Sequence, residues 1–161
     1  MALGSTLHED LEPLAFLLGT WRGEGRGEYP TIESFDYREE VRFWHADKPV
    51  LGYSLRSWGT PSEAAMHSES GFWRPGADGT LEVALAHPLG VVEIAEGTVS
   101  DTSIRLSSAL VARTTTGAPV TAVERRYDLV EDVLEYELLM ATDEVELSLH
   151  LRGRLRRAAA S

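Results

Sequence analysis

The stretch Val123-Glu124-Arg125-Arg126-Tyr127-Asp128-Leu129-Val130-Glu131-Asp132-Val133-Leu134-Glu135-Tyr136-Glu137-Leu138-Leu139-Met140 decides the fold. On an extended chain Val123, Arg125, Tyr127 and Leu129 share one face, opposed by Glu124, Arg126 and Asp128. After the polar turn at Glu131-Asp132 the alternation resumes, with Leu134, Tyr136, Leu138 and Met140 on one face and Glu135 and Glu137 on the other. Two period-two segments joined by a short turn predict an antiparallel hairpin with one buried face.

Working outward, the same pattern fills the rest of the chain. Ile104, Leu106 and Leu110 share a face with Ser108, and turn residues punctuate the strands: Pro75-Gly76-Ala77-Asp78-Gly79, His87-Pro88-Leu89-Gly90, Ser100-Asp101-Thr102-Ser103 and Thr116-Gly117-Ala118-Pro119. Strands are expected near 20–28, 34–45, 49–58, 65–74, 80–87, 90–99, 103–112, 120–130, 132–141 and 144–156. Short links make successive strands antiparallel neighbours. Helical spacing occurs once, at Leu11, Leu14 and Leu18, with Glu9, Asp10 and Pro13 suited to a first turn and Gly19 ending it.

About ten antiparallel strands in an open sheet would leave two aggregation-prone edges, so an all-β, up-and-down β-barrel is the economical architecture. A two-sheet sandwich would normally need longer crossings than these links provide. Barrel diameter grows with strand number, and about ten strands enclose more space than side chains alone fill. A cavity is therefore expected, with the N-terminal helix placed to cover one mouth.

The 161 residues fit a single domain, 1–161, with residues 1–9 expected to be flexible. Hydrophobic residues at 43% and charged residues at 25% are ordinary for a globular protein. No apolar run is long enough for a membrane helix and no secretory pattern opens the chain, so a cytoplasmic location is the expectation. The absence of cysteine excludes disulfides, thiolate metal sites and a cysteine nucleophile. A net charge of −11, from 26 acids and 15 bases, disfavours nucleic acid and anionic membranes as partners. The basic cluster Arg152, Arg154, Arg156 and Arg157 reads as a solubilising strand end.

The segment Gly19-Thr20-Trp21-Arg22-Gly23-Glu24-Gly25 followed by Tyr29-Pro30-Thr31 resembles the signature of the nitrobindins, haem-containing barrels related in fold to the fatty-acid-binding proteins. Further blocks resemble the family in the same order: Tyr37-Arg38-Glu39-Glu40-Val41, His67-Ser68-Glu69-Ser70-Gly71, Ala86-His87-Pro88-Leu89-Gly90, and His150-Leu151 ten residues after Met140. The resemblance implies a ferric haem b ligated by His150, able to bind nitric oxide and to isomerise peroxynitrite to nitrate. It also implies haem contact by Thr31, although a turn-stabilising hydroxyl after Pro30 explains that residue as well. Gly19, Trp21, Gly23 and Gly25 read either as a tightly curved strand with Trp21 plugging the barrel floor or as direct cofactor contacts.

His150 poses a conflict of faces. Alternation groups it with Glu146, Ser148, Arg152 and Arg154, opposite Val145, Leu147, Leu149, Leu151 and Leu155. An inward His150 would turn those leucines outward, to be covered in a homodimer or accommodated by a β-bulge near Gly153. His45 and His67 read as wall or distal residues, His87 as a turn residue and His8 as part of the tail. No distal general acid is evident. A zinc site from His45, His67 and a carboxylate lacks close ligand spacing, and no G-x-S-x-G elbow supports a hydrolase. The alternative function is a non-enzymatic carrier of a fatty acid or similar apolar ligand, which a buried basic residue in the cavity would favour.

Overall fold

A computed structural model describes residues 6–46 and 48–159. Ten strands follow in chain order: β1 (Gly19–Tyr29), β2 (Ile32–His45), β3 (Leu51–Gly59), β4 (Ala65–Pro75), β5 (Thr80–His87), β6 (Val91–Ser100), β7 (Ser103–Arg113), β8 (Val120–Val130), β9 (Val133–Thr142) and β10 (Ser148–Arg157). Each is antiparallel to the next, and β10 returns to pair with β1 from Trp21↔Arg157 to Gly27↔Leu151, closing the expected up-and-down barrel. Closure satisfies both would-be edges with main-chain hydrogen bonds. The last strand starts at Ser148 rather than 144. Just before it, the N–H groups of Glu144 and Val145 donate to Thr142 Oγ1, folding that stretch into a turn.

The N-terminal helix, Glu9–Leu17, is a 3-10 helix. Its three-residue period stacks Leu11, Leu14 and Leu17 into the core, so Leu17, not Leu18, is the third buried position. His8 is not part of a loose tail: its Nδ1 accepts the Asp10 N–H and caps the helix. Residues 1–5 of the expected flexible segment lie outside the described residues. The helix sits where β1 begins and β10 ends. There Trp21 Nε1 donates to Leu17 O at 2.8 Å, and the Arg157 guanidinium lies 4.3 Å from the Trp21 ring centroid while donating to Leu18 O and Phe16 O. Trp21 thus plugs the floor, and Gly19, at φ +117, provides the backbone turn from helix into strand.

The floor half of the barrel is filled. Trp21, Phe43, Tyr53, Trp73, Leu81 and Ile104 join the helix leucines in one buried cluster. Gly25 faces its cross-strand partner Tyr37, whose ring occupies the space a Cβ would need, 2.2 Å away. Gly23 lies against the Arg154 backbone on the other side. Towards the opposite end β7 and β8 part company: their ladder covers only Ser103–Ser107 against Glu124–Asp128, beyond which Ser108 Oγ accepts the Val123 N–H. Three of the C-terminal arginines pair outside, Arg152 with Glu137, Arg154 with Glu135 and Arg156 with Asp132.

Candidate functional site

The half of the barrel away from the helix holds a cavity of about 340 Å³, within the ~300–1,000 Å³ range of small-molecule sites. Its wall includes Tyr37, Val91, Val123, Leu138 and Met140, and Leu89, Ala118 and Pro119 from the loops at the mouth. His150 lies in this wall, and the way it gets there resolves the conflict of faces. On β10, Leu149 pairs with Leu139 but Leu151 with Leu138, so His150 is an extra residue opposed by none on β9. The bulge is at His150 itself and not near Gly153. It resets the alternation, so that His150 and Leu151 both line the cavity and Leu155 is buried. Leu151 and Leu155 are thus covered within the barrel, whereas Leu147, ahead of the bulge, stays exposed.

His150 is held firmly. Its Nδ1 stands 3.1 Å from the Glu28 carbonyl oxygen, and the Tyr29 and Phe35 rings pack edge-on at 5.1 and 6.4 Å between centroids. Tyr29 is itself fixed by its hydroxyl, which donates to Met140 O at 3.0 Å. A carbonyl can only accept, so Nδ1 carries the proton and Nε2 keeps its lone pair. Burial holds the imidazole pKa below its usual value, keeping it neutral. Neutral imidazole with one nitrogen tied to a carbonyl is the donor that haem iron takes where another axial position stays open. The residues present fit the group. Thr31 stands exposed on the β1–β2 turn, outside the cavity wall.

Deeper in, polar groups interrupt the apolar lining. Glu39 is buried with Oε1 unpartnered, and burial pushes its carboxyl up to about 8, with a smaller opposing contribution from the Tyr136 hydroxyl. The Tyr37 and Tyr136 hydroxyls share a short hydrogen bond nearby. Across the cavity Arg125 is buried and grips two carboxylates: Nη1 and Nη2 reach Glu69 Oε1 and Oε2 at 2.7 and 3.2 Å, and Nη2 and Nε reach Glu93 Oε1 and Oε2 at 2.7 and 3.3 Å. Burial, the largest single influence, raises both carboxyl pKa values, but the Arg125 guanidinium and the His67 and His87 hydrogen bonds together outweigh it and hold Glu69 well below, and Glu93 below, the usual range. Tyr53 donates to Glu69 Oε1 at 2.6 Å. The buried base that would favour a fatty-acid carrier is therefore present but already neutralised.

His67 and His87 join this layer. His67 Nε2 is 3.2 Å from Glu69 Oε2, and His87 Nε2 is 2.8 Å from Glu93 Oε1. His87 is thus more than a turn residue. His45, on β2, is not among the residues lining the cavity. Glu39, Glu69, Glu93 and Arg125 belong to no motif that announces chemistry. The available signal for Arg125 is its place among Val123, Tyr127 and Leu129, a charge on an otherwise apolar face.

Residues 10–157 match the family described as the THAP4-like, heme-binding beta-barrel domain. A peroxynitrite isomerase of Arabidopsis thaliana is 45% identical over 151 residues, covering 92% of this chain and 89% of the relative. A peroxynitrite isomerase of Nocardia farcinica is 44% identical over 155 residues, covering 94% and 92%. The crystal structure of Rv2717c from M. tuberculosis is similar with a TM-score of 0.89 at 38% identity, over 96% of this chain and all of that one. The S-type phycobiliprotein lyase CPES of Guillardia theta, at 10% identity and a TM-score of 0.65, shares the fold alone.

Proposed function

The chain belongs to the family of THAP4-like, heme-binding β-barrel domains, and from that premise we propose that it is a haem-dependent isomerase converting peroxynitrite to nitrate, with His150 as the protein ligand to iron. The observation that carries the reading is the bulged imidazole, which offers an uncommitted Nε2 in the wall of a largely apolar cavity. Ferric haem b, held by His150, would supply a Lewis-acidic, redox-capable iron for the isomerisation of peroxynitrite to nitrate. Nitric oxide would be a second ligand for the same iron.

The chain's own residues do the rest. Glu28 O, Tyr29 and Phe35 fix the His150 ring, so little rotational freedom is lost when Nε2 engages a ligand. Val91, Val123, Leu138 and Met140 limit water in the cavity. Glu39 stays protonated through most of the neutral range and holds a proton on its carboxyl inside the chamber. Thr31, on the turn following Tyr29 and Pro30, is the residue we assign to the porphyrin edge. No helix among the described residues is long and apolar enough to cross a membrane.

The outer wall supports a homodimer on grounds other than the leucines of β10. Trp44, Gly52, Phe72, Ala84, Ile94 and Leu110 pair in succession across β2 to β7, forming one apolar row. Phe72 and Leu110 are 59% and 58% exposed along it, and contiguous apolar patches of this kind mark contact surfaces.

The ligand assignment is tested by absorption spectroscopy. Protein reconstituted with haemin gives a Soret band characteristic of histidine ligation, and His150→Ala abolishes it while leaving the far-UV circular dichroism unchanged. An unaltered Soret band in the variant refutes His150 as the ligand.

A further inference from the structure

Three nitrogen and oxygen atoms converge on one point of the cavity wall. His67 Nε2 and Glu69 Oε2 are 3.2 Å apart, His87 Nδ1 and Glu69 Oε2 3.3 Å, and His67 Nε2 and His87 Nδ1 3.4 Å. The two imidazoles stack with ring centroids 5.4 Å apart, so neither can swing away without losing that contact. On the far side of its ring His87 Nε2 lies 2.8 Å from Glu93 Oε1, which fixes the ring with Nδ1 turned to the shared point. Glu69 and Glu93 against Arg125 leave one buried negative charge in excess, which a cation there would offset.

A cation at the centre of that triangle would be held by all three atoms at once. We propose that His67, Glu69 and His87 form a divalent metal site, suited to Zn²⁺ and separate from the His150 position. In a tetrahedral zinc site with bonds of about 2.0–2.1 Å, ligand atoms stand about 3.3–3.4 Å apart, the spacing found here. Two histidines and a carboxylate are a catalytic-type zinc donor set with a fourth position left open. All three side chains line the cavity, so that position is on the cavity side, where a water or an anionic oxygen would take it. The supports are already in place. Glu93 orients His87 through Nε2, the carboxylate–histidine arrangement that fixes a metal-binding tautomer. Arg125 takes one lone pair of Glu69 Oε2 at 3.2 Å, and a carboxylate oxygen has a second to give the metal.

The inference rests on donor geometry and local charge and stands whether or not His150 binds haem. Its test uses full-length, haem-free protein dialysed against chelator and titrated with Zn²⁺ by isothermal calorimetry. One equivalent binds the wild type and His150→Ala alike, whereas His67→Gln and His87→Gln lose the binding. Absence of a one-equivalent isotherm in the wild type overturns the proposal, as does equal binding in both glutamine variants or its loss in His150→Ala. Should a variant fail to fold, Co²⁺ added to the wild type decides independently. Intense visible d–d absorption marks a four-coordinate nitrogen and oxygen site, and only the weak bands of six-coordinate Co²⁺ would reject it.

Discussion

Glu39→Gln should flatten the decline of stability with rising pH. In the folded chain burial pushes the Glu39 carboxyl up to about 8, against an ordinary value of 4.5. The native state therefore keeps a proton that the unfolded chain releases. The sign follows: this contribution is fully present below the unfolded value and is lost as pH rises through the folded one. The ceiling on the loss is about 3.5 pH units at ~1.36 kcal/mol each, or ~5 kcal/mol, of which about 2 kcal/mol falls between pH 6 and 8. For a chain of this size 1 kcal/mol moves Tm by roughly 2–4 °C, so the wild type should lose roughly 4–8 °C more than Glu39→Gln across that interval. Glutamine preserves the shape and cannot ionise. Groups such as His150 titrate in both proteins and cancel in the comparison. The assay is calorimetric melting of haem-free protein at half-unit pH steps. Parallel Tm curves for the two proteins would refute the buried, protonated Glu39.

Two further perturbations probe the middle layer and the outer wall. Arg125→Met leaves Glu69 and Glu93 facing each other without their shared cation, and should destabilise the barrel by about 3–5 kcal/mol in urea unfolding. A change below ~1 kcal/mol would show that the carboxylates had found other partners. Phe72→Glu places a charge in the middle of the exposed apolar row and should convert a dimer to a monomer in size-exclusion chromatography with light scattering. An elution and mass unchanged from wild type would remove that face from the assembly.

The barrel was legible because period-two alternation and turn chemistry are local. Leu134, Tyr136, Leu138 and Met140 do face inward, all four reaching the cavity, and the Glu131-Asp132 turn joins β8 to β9 as the pattern requires. What could not be read is where that period slips. Nothing in Leu149-His150-Leu151 announces an inserted residue, since the bulge is imposed by the fixed pairing of β10 with β1 and β9. The 3-10 period of Glu9–Leu17 is hidden for a related reason: leucine fills positions 17 and 18 alike, and tertiary packing chooses between them. The Arg125 layer was illegible because it joins strands far apart in sequence. Glu69 and Glu93 lie 56 and 32 residues before their arginine, and each resembles a surface acid until the barrel closes.

One strand has two duties: β10 is the final stave of the barrel and also carries His150. The proposed iron ligand and the closing seam therefore stand or fall together: a chain lacking β10 would have no imidazole at position 150 and would leave β1 and β9 as raw, unpaired borders open to proteolytic clearance.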